Sequence, residues 1–273
     1  VHSILLRAAS GDRWEIPILL EDDVLLAVSK PAGLLTSPDR YDKDRPNLMK
    51  LLHDGIREQA TWARQHSLSY LANVHRLDAE TSGVLLLAKT REALSSLAGQ
   101  FVQRQTKKIY LALVHGVPTP SEQTIEKRIG PHPTREHLFV ARSHVGKEST
   151  TTIKVLEAFR HHALVQAQPL TGRTHQIRLH LKSISHCVVA DALYGTAEGL
   201  LLSQLKRRYK FSRAEPERPL IGRLALHAER LTIAHPTTKQ RIEIVAPLPK
   251  DFEVTLKYLR KFAGMHGGEP KLN

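Results

Sequence analysis

Cysteine is nearly missing from this sequence: Cys187 stands alone among 273 residues. A single thiol excludes an internal disulfide framework and any cysteine-based zinc site, and it fits a reducing cytoplasm. Long apolar runs are missing too, and none approaches the ~18 residues of a membrane span. The start of the chain has no charged leader followed by a continuous apolar core, so no secretory signal is expected. Neither G-x-x-x-x-G-K-[ST] nor G-x-G-x-x-G occurs, and nothing else points to a nucleotide cofactor. The 16 histidines could supply metal ligands, but no His-Glu-x-x-His is present. His175 and His180 are five apart, which does not put two ligands on one helical face. Acidic residues are the scarce charge, 27 against 40 Lys and Arg, for a formal net charge of +13.

That excess, with a pI near 10.0, points to a polyanionic partner, nucleic acid first and an anionic membrane surface second. Apolar residues make up 41% of the chain, ample for the core of one large domain or two small ones. No internal repeat is evident.

What the chain does contain is organised around His75–Thr90. Arg76 and Asp78 lie close together there, a small polar turn runs from Glu80 to Gly83, and Val84–Ala88 follows as a short apolar run rich in branched residues. Such a run reads as a strand with both faces covered. A rigid strand after a loop is a good mount for a reactive side chain, which makes Asp78 the candidate for chemistry and Arg76 its companion. The plain alternative is a surface salt bridge at a turn.

Upstream, Ile18–Leu20 and Val24–Val28 read as a hairpin around Glu21-Asp22-Asp23. The second run ends at Lys30-Pro31-Ala32-Gly33, where Pro stops a strand and Gly allows a turn. Thr36–Pro46 reads as a loop, and Asn47 as the cap of a helix with Leu48, Leu51, Leu52 and Ile56 on one face. Downstream, Thr90 caps an amphipathic helix (Ala93, Leu94, Leu97, Ala98, Phe101, Val102) that ends in the cationic stretch Arg104–Lys108. Ile109–Val114 reads as a strand carrying Tyr110, and Pro118–Arg135 as loop. Strands are expected at 138–142, 150–159 and 163–170. Gly172 then breaks the chain, and Thr174 is the expected cap of a helix with Ile177, Leu181 and Ile184 on one face and His175, Arg178 and Lys182 on another. Residues 196–218 read as an insertion with a short helix (200–209) and a basic cluster of Lys206, Arg207, Arg208, Lys210 and Arg213. That cluster is either a solvated face or an RNA contact. A strand at 224–233, a turn at 235–240, a returning strand at 241–246 and a helix at 251–262 follow. The tail from Gly264 is expected to be disordered.

The segment His75-Arg76-Leu77-Asp78-x-x-Thr81-Ser82-Gly83 resembles the signature of the RluA-type pseudouridine synthases at all seven fixed positions. Lys30-Pro31-x-Gly33, the Gly172-Arg173-x-His175-Gln176-x-Arg178 run and the Asp191–Gly195 turn resemble the same family. The resemblance implies an α+β fold, a mixed and mainly antiparallel sheet flanked by helices with a central active-site cleft, in one catalytic domain over 18–262 after an extension at 1–17. It implies isomerisation of uridine to pseudouridine in RNA, with ribosomal RNA the first choice and tRNA the second, by a cytoplasmic, cofactor-independent monomer that does not engage a membrane. Asp78 would be the catalytic aspartate, acting at C1′ or through C2′. Tyr110 would stack on the target base, and Arg178 would pair with the carboxylate. Arg76 would fill the gap left by the extruded uridine, since a planar cation can replace a lost stacking partner. His75, Thr81, Arg173, His175, Lys182, Lys206, Arg207 and Arg208 would contact RNA. Fewer than 20 residues precede the first strand read here, so recognition is expected to rest on the catalytic domain's own surface. A basic RNA-binding module without catalysis is the competing reading; a hydrolase lacks a second motif carboxylate.

Overall fold

The computed structural model describes residues 3–39, 42, 44–136, 138–142, 146–206, 209 and 216–264. In chain order the elements begin with β1 (Ser3–Arg7), β2 (Arg13–Glu21), β3 (Leu25–Lys30), α1 (Leu48–Arg57), α2 (Thr61–Gln65), β4 (Ala72–Asn73), β5 (Ser82–Ala88), α3 (Arg91–Val102) and β6 (Lys107–His115). They continue with β7 (Glu122–Pro131), β8 (Phe139–Arg142), β9 (Lys147–Ala158), β10 (His162–Pro169), α4 (Gln176–Ser183), α5 (Leu202–Leu205), β11 (Leu226–Ala234), β12 (Arg241–Val245) and α6 (Lys250–Ala263). The chain forms two compact units, residues 1–110 with 227–247 and residues 111–226 with 248–273.

In the first unit the strand order is β1-β2-β3-β5-β11, with β4 added on β5 and β12 on β11. All these pairs are antiparallel except β5 with β11, which run parallel. The mixed, mainly antiparallel sheet is as expected. Strand alternation builds two cores from the same strands. Leu26, Val28, Leu85 and Leu87 face one cluster beneath α1, while Leu25, Ala27, Val84, Leu86 and Ala88 face a second beneath α3. β5 is therefore buried along its whole length, which is why its sequence is an unbroken apolar run rather than an alternating one. Both helix caps form as read: Asn47 Oδ1 accepts from Lys50 N at 2.9 Å and Thr90 Oγ1 from Ala93 N at 3.1 Å. The cationic stretch after α3 is divided, because Lys107 and Lys108 already belong to β6.

The second unit has the order β6-β10-β9-β7-β8. Here one expectation fails: the stretch read as loop between Pro118 and Arg135 contains the ten-residue strand β7, paired with both β8 and β9. Only Ile125 and Ile129 carry its apolar side, and the charges between them hide the alternation. A second correction concerns α4. Thr174 is not its cap; His175 is, in the left-handed conformation at φ +54° and without a side-chain cap bond. The face read as His175, Arg178 and Lys182 is divided: Arg178 is buried and His175 half-buried, while Lys182 is exposed. The helix read at 200–209 is the single turn α5. Arg207, Arg208, Lys210 and Arg213 lie outside the described residues, as does the tail after Gly264. No helix among the described residues is long and apolar enough to cross a membrane.

Candidate active site

The Asp78 loop joins β4 to β5, and its main chain is fixed on both sides of the aspartate. Thr36, itself buried, donates through Oγ1 to Leu77 O (2.9 Å) and accepts from Leu77 N (3.2 Å). On the other side Ala79 O accepts from Gly33 N (2.9 Å) and from Lys30 Nζ (3.0 Å). Lys30 is fully buried and its ammonium also donates to Pro31 O and Leu34 O at 2.7 and 2.6 Å. The Lys-Pro-x-Gly segment thus does more than end a strand: Gly33, at φ +83°, turns the chain so that its N–H and the lysine meet the same carbonyl. Thr81 N closes the turn onto Asp78 O at 3.1 Å.

The end of the motif is fixed by close approach. A Cβ on Gly83, at φ +118°, would lie 2.2 Å from Ala228 O, so only glycine lets β5 start its parallel pairing with β11 there. The adjacent Ser82 Oγ meets Nδ1 of the buried His227 at 3.0 Å.

On this base the Asp78 side chain is half-buried and Arg76 is exposed. Tyr110, on β6, packs against the first core cluster and is half-buried. Burial, and then the negative charge of Asp78, push the phenol well above its ordinary value, so Tyr110 stays un-ionised. Asp78 and Tyr110 thus belong to one unit, and the carboxylate's charge adds to the effect of burial on the phenol. His75 has a structural use instead of an exposed one. Its Nε2 accepts from Leu86 N (3.1 Å) and its ring stacks on Phe101 at 5.1 Å. Burial, with Lys108 nearby, pushes His75 down to about 4, so it is neutral. Thr81 is likewise buried, its hydroxyl without a hydrogen-bond partner among the described residues.

In the second unit Gln176 locks the Gly172–His175 turn to β9. Its Oε1 accepts from Thr171 Oγ1 (2.6 Å) and Arg173 N (3.0 Å), and its Nε2 donates to Thr150 O (3.0 Å) and Thr151 Oγ1 (2.9 Å). Arg178, on α4, is buried and donates from Nε and Nη2 to the two oxygens of Asp191, at 2.8 and 2.6 Å. Asp191 is buried as well and caps the turn after it, accepting from Leu193 N and Tyr194 N. The Tyr194 ring lies 5.0 Å from the Arg178 guanidinium carbon, and its hydroxyl is 2.7 Å from His175 Nδ1. Asp191 was legible only as part of a turn; its role as the counter-ion of Arg178 is what the sequence reading missed. Of the residues expected to touch RNA, Arg173 is half-buried with Nε on Glu148 O (3.2 Å), while Lys182 and Lys206 are exposed.

A family model described as RNA pseudouridylate synthase matches residues 24–183. Ribosomal large subunit pseudouridine synthase D of Neisseria meningitidis serogroup B is 34% identical over 250 residues, which is 92% of this chain and 63% of that protein. The chain thus spans less than two thirds of that relative's length. The protein of the same name from Pseudomonas aeruginosa is 36% identical over 255 residues, 90% of this chain and 72% of its own. Among solved structures, human RNA pseudouridylate synthase domain containing 4 superposes with a TM-score of 0.65 at 26% identity, covering 91% of this chain and 94% of that one. Human RNA pseudouridylate synthase domain containing 1 gives 0.62 at 28% identity, over 86% and 84%. With the signature aspartate on its clamped loop and these relatives over most of its length, the chain belongs to the RNA pseudouridylate synthase family.

Proposed function

We propose that this chain isomerises uridines in RNA to pseudouridine, in the cytoplasm and without metal or organic cofactor. Ribosomal RNA is the first substrate class, supported by the names of the relatives, and tRNA the second. The observation that carries the reading is Asp78 itself: a half-buried carboxylate on a loop tied down at Leu77 and Ala79, in the same unit as the half-buried phenol of Tyr110. A carboxylate so held can attack or stabilise an electron-poor sugar carbon, the problem that glycosidases solve with carboxylates. The reaction needs no co-reactant. The C1′–N1 bond breaks, the uracil turns while bound, C5 bonds to C1′, the C5 hydrogen leaves as a proton and N1 gains one.

The un-ionised Tyr110 ring supplies a face for the base. Arg76, exposed beside the loop, takes the place of the uridine that leaves its stack, which offsets part of an unstacking cost of a few kcal/mol. Arg178 is assigned to the Asp78 carboxylate. Asp191 fixes the plane of the guanidinium by engaging Nε and Nη2.

The test is tritium release. Ribosomal RNA and tRNA labelled at uridine C5, taken from cells lacking this protein, should lose tritium to water on incubation with it, because only isomerisation exchanges that hydrogen. Binding of both RNAs without release from either would leave the non-catalytic reading in its place.

A further inference from the structure

The second unit contains a cavity of about 210 Å³ that uses none of the residues assigned to the reaction. Its walls come from the end of β6, the start of β10, residues 196–205 and the last turn of α6. Its lining includes two imidazoles, His115 and His162, with ring centroids 5.3 Å apart and planes tilted by 44°. His162 is 8% exposed. Its Nδ1 and the Nε2 of His115 are both buried without a hydrogen-bond partner among the described residues. A buried nitrogen left unsatisfied costs about 1–3 kcal/mol, and such groups are rare. Two on one wall are not explained by packing. Burial keeps both rings neutral, His162 being pushed down to about 4.

The rest of the lining narrows the ligand. The volume is far above the ~10–15 Å³ that holds one water, and just below the ~300 Å³ at which drug-sized sites begin. Among the described residues no three His, Cys, Asp or Glu side chains converge to hold a metal ion. A neutral imidazole offers one donor and one acceptor, which suits the edge of a heterocycle more than an ion. Val189, Leu200 and Leu205 supply apolar wall for its faces. The rim carries both signs: Arg160 and Glu198 are exposed there beside His161, and Leu205 leads directly into the exposed Lys206. The 196–205 wall is built into the fold, because Leu200 N donates to Ile221 O (3.0 Å) and Leu220 N to Leu200 O (2.8 Å).

We infer that this cavity is a second nucleotide site, taking one unpaired nucleotide of the substrate RNA with its base against His115 and His162 and its phosphate on Arg160. The inference rests on the RNA reading above. The probes are the four nucleoside 5′-monophosphates and a random-sequence RNA hexamer, titrated into the whole chain labelled with ¹⁵N in its histidine rings. The His115 and His162 ring signals should shift saturably. The hexamer should act at lower concentration than any monophosphate, because phosphates beyond the first can reach Lys206 as well as Arg160. Arg160→Glu, a change at an exposed position, should weaken either probe by about fivefold or more. Ring signals unmoved by all five probes at millimolar concentration would overturn the inference. Shifts with a monophosphate and none with the hexamer would overturn it in favour of a free nucleotide. Tritium release by the same sample reports on the isomerase reading alone: failure there beside shifted rings sinks the reaction and keeps the nucleotide site.

Discussion

Around Asp78 it is the main chain that is tied down, whereas around Arg178 it is the side chain itself. Leu77 and Ala79, on either side of the aspartate, have their backbone groups taken by Thr36, Lys30 and Gly33, and the carboxylate is left half-buried. Arg178 is buried, and two of its N–H groups are spent on Asp191. The difference follows from what each group would do. A carboxylate that must meet a sugar carbon is best positioned through its neighbours' backbone, while a cation that only has to hold charge in place can be anchored by its own hydrogen bonds.

Removing the anchor of the second region should have the largest effect on stability. Asp191→Asn keeps the shape and the capping oxygen but removes the charge that engages Arg178 through Nε and Nη2, at a cost of about 3–5 kcal/mol. Urea unfolding of the variant measures this; an unchanged midpoint would mean that the pair does not hold Arg178.

Next in size is a response that both regions share. His75 in the Asp78 loop and His180 on α4 are each pushed down to about 4 by burial from an ordinary 6.5. Above the ordinary value both folded and unfolded chains are neutral at these rings, and the contribution to stability is full. As pH falls from 6.5 towards 4 the unfolded chain takes up protons that the folded one refuses, so stability is lost in that window, by roughly 2–3 kcal/mol per ring. Urea midpoints at about pH 7 and about pH 4.5 should therefore differ, and His180→Leu should shrink the difference. A flat profile would show that these rings are not held neutral.

The clamp on the first region can be loosened alone. Thr36→Val removes both bonds to Leu77 with little change of shape, leaving a buried N–H and C=O unsatisfied at about 1–3 kcal/mol. Displacement of the aspartate should lower turnover by about tenfold or more while RNA affinity holds. Equal turnover would mean that the loop is positioned without Thr36.

The smallest effect belongs to neither region. Replacing Lys206, Arg207 and Arg208 by Gln should leave turnover at saturating RNA unchanged and flatten the log–log dependence of affinity on salt, by about 0.7 for each single-strand phosphate that is no longer neutralised. An unchanged slope would return the cluster to an ordinary solvated face.

How much of this was legible depended on how clean the local pattern was. β5 could be read because both its faces are covered, so Val84–Ala88 is an unbroken apolar run. β1 and β7 could not: β1 buries only Ile4 and Leu6, with the apolar Leu5 exposed between them, and the buried side chains of β7 are Ile125 and Ile129, set among charges that face outward. The cap of α4 was misplaced by one residue because Thr174 has the usual capping chemistry, while the chain uses a left-handed His175 supported by Tyr194. Asp78 stood out through its motif. Asp191 did not, since an aspartate before Ala-Leu-Tyr-Gly reads as a turn and its partner is 13 residues upstream on a helix. His75 and Thr81 read as surface groups because they are polar and flank the aspartate; only the packing of Phe101 and the backbone of β5 reveal the buried use of the ring.

The central claim is that Asp78 carries the chemistry while binding resides elsewhere. Asp78→Asn, assayed for pseudouridine formation in a single turnover with enzyme in excess and for RNA affinity beside it, tests that directly. The account predicts turnover at background, as a catalytic unit without its central member behaves, with affinity within a few-fold of the unaltered protein. A variant that kept about a tenth of the rate, or that lost binding in step with turnover, would contradict it.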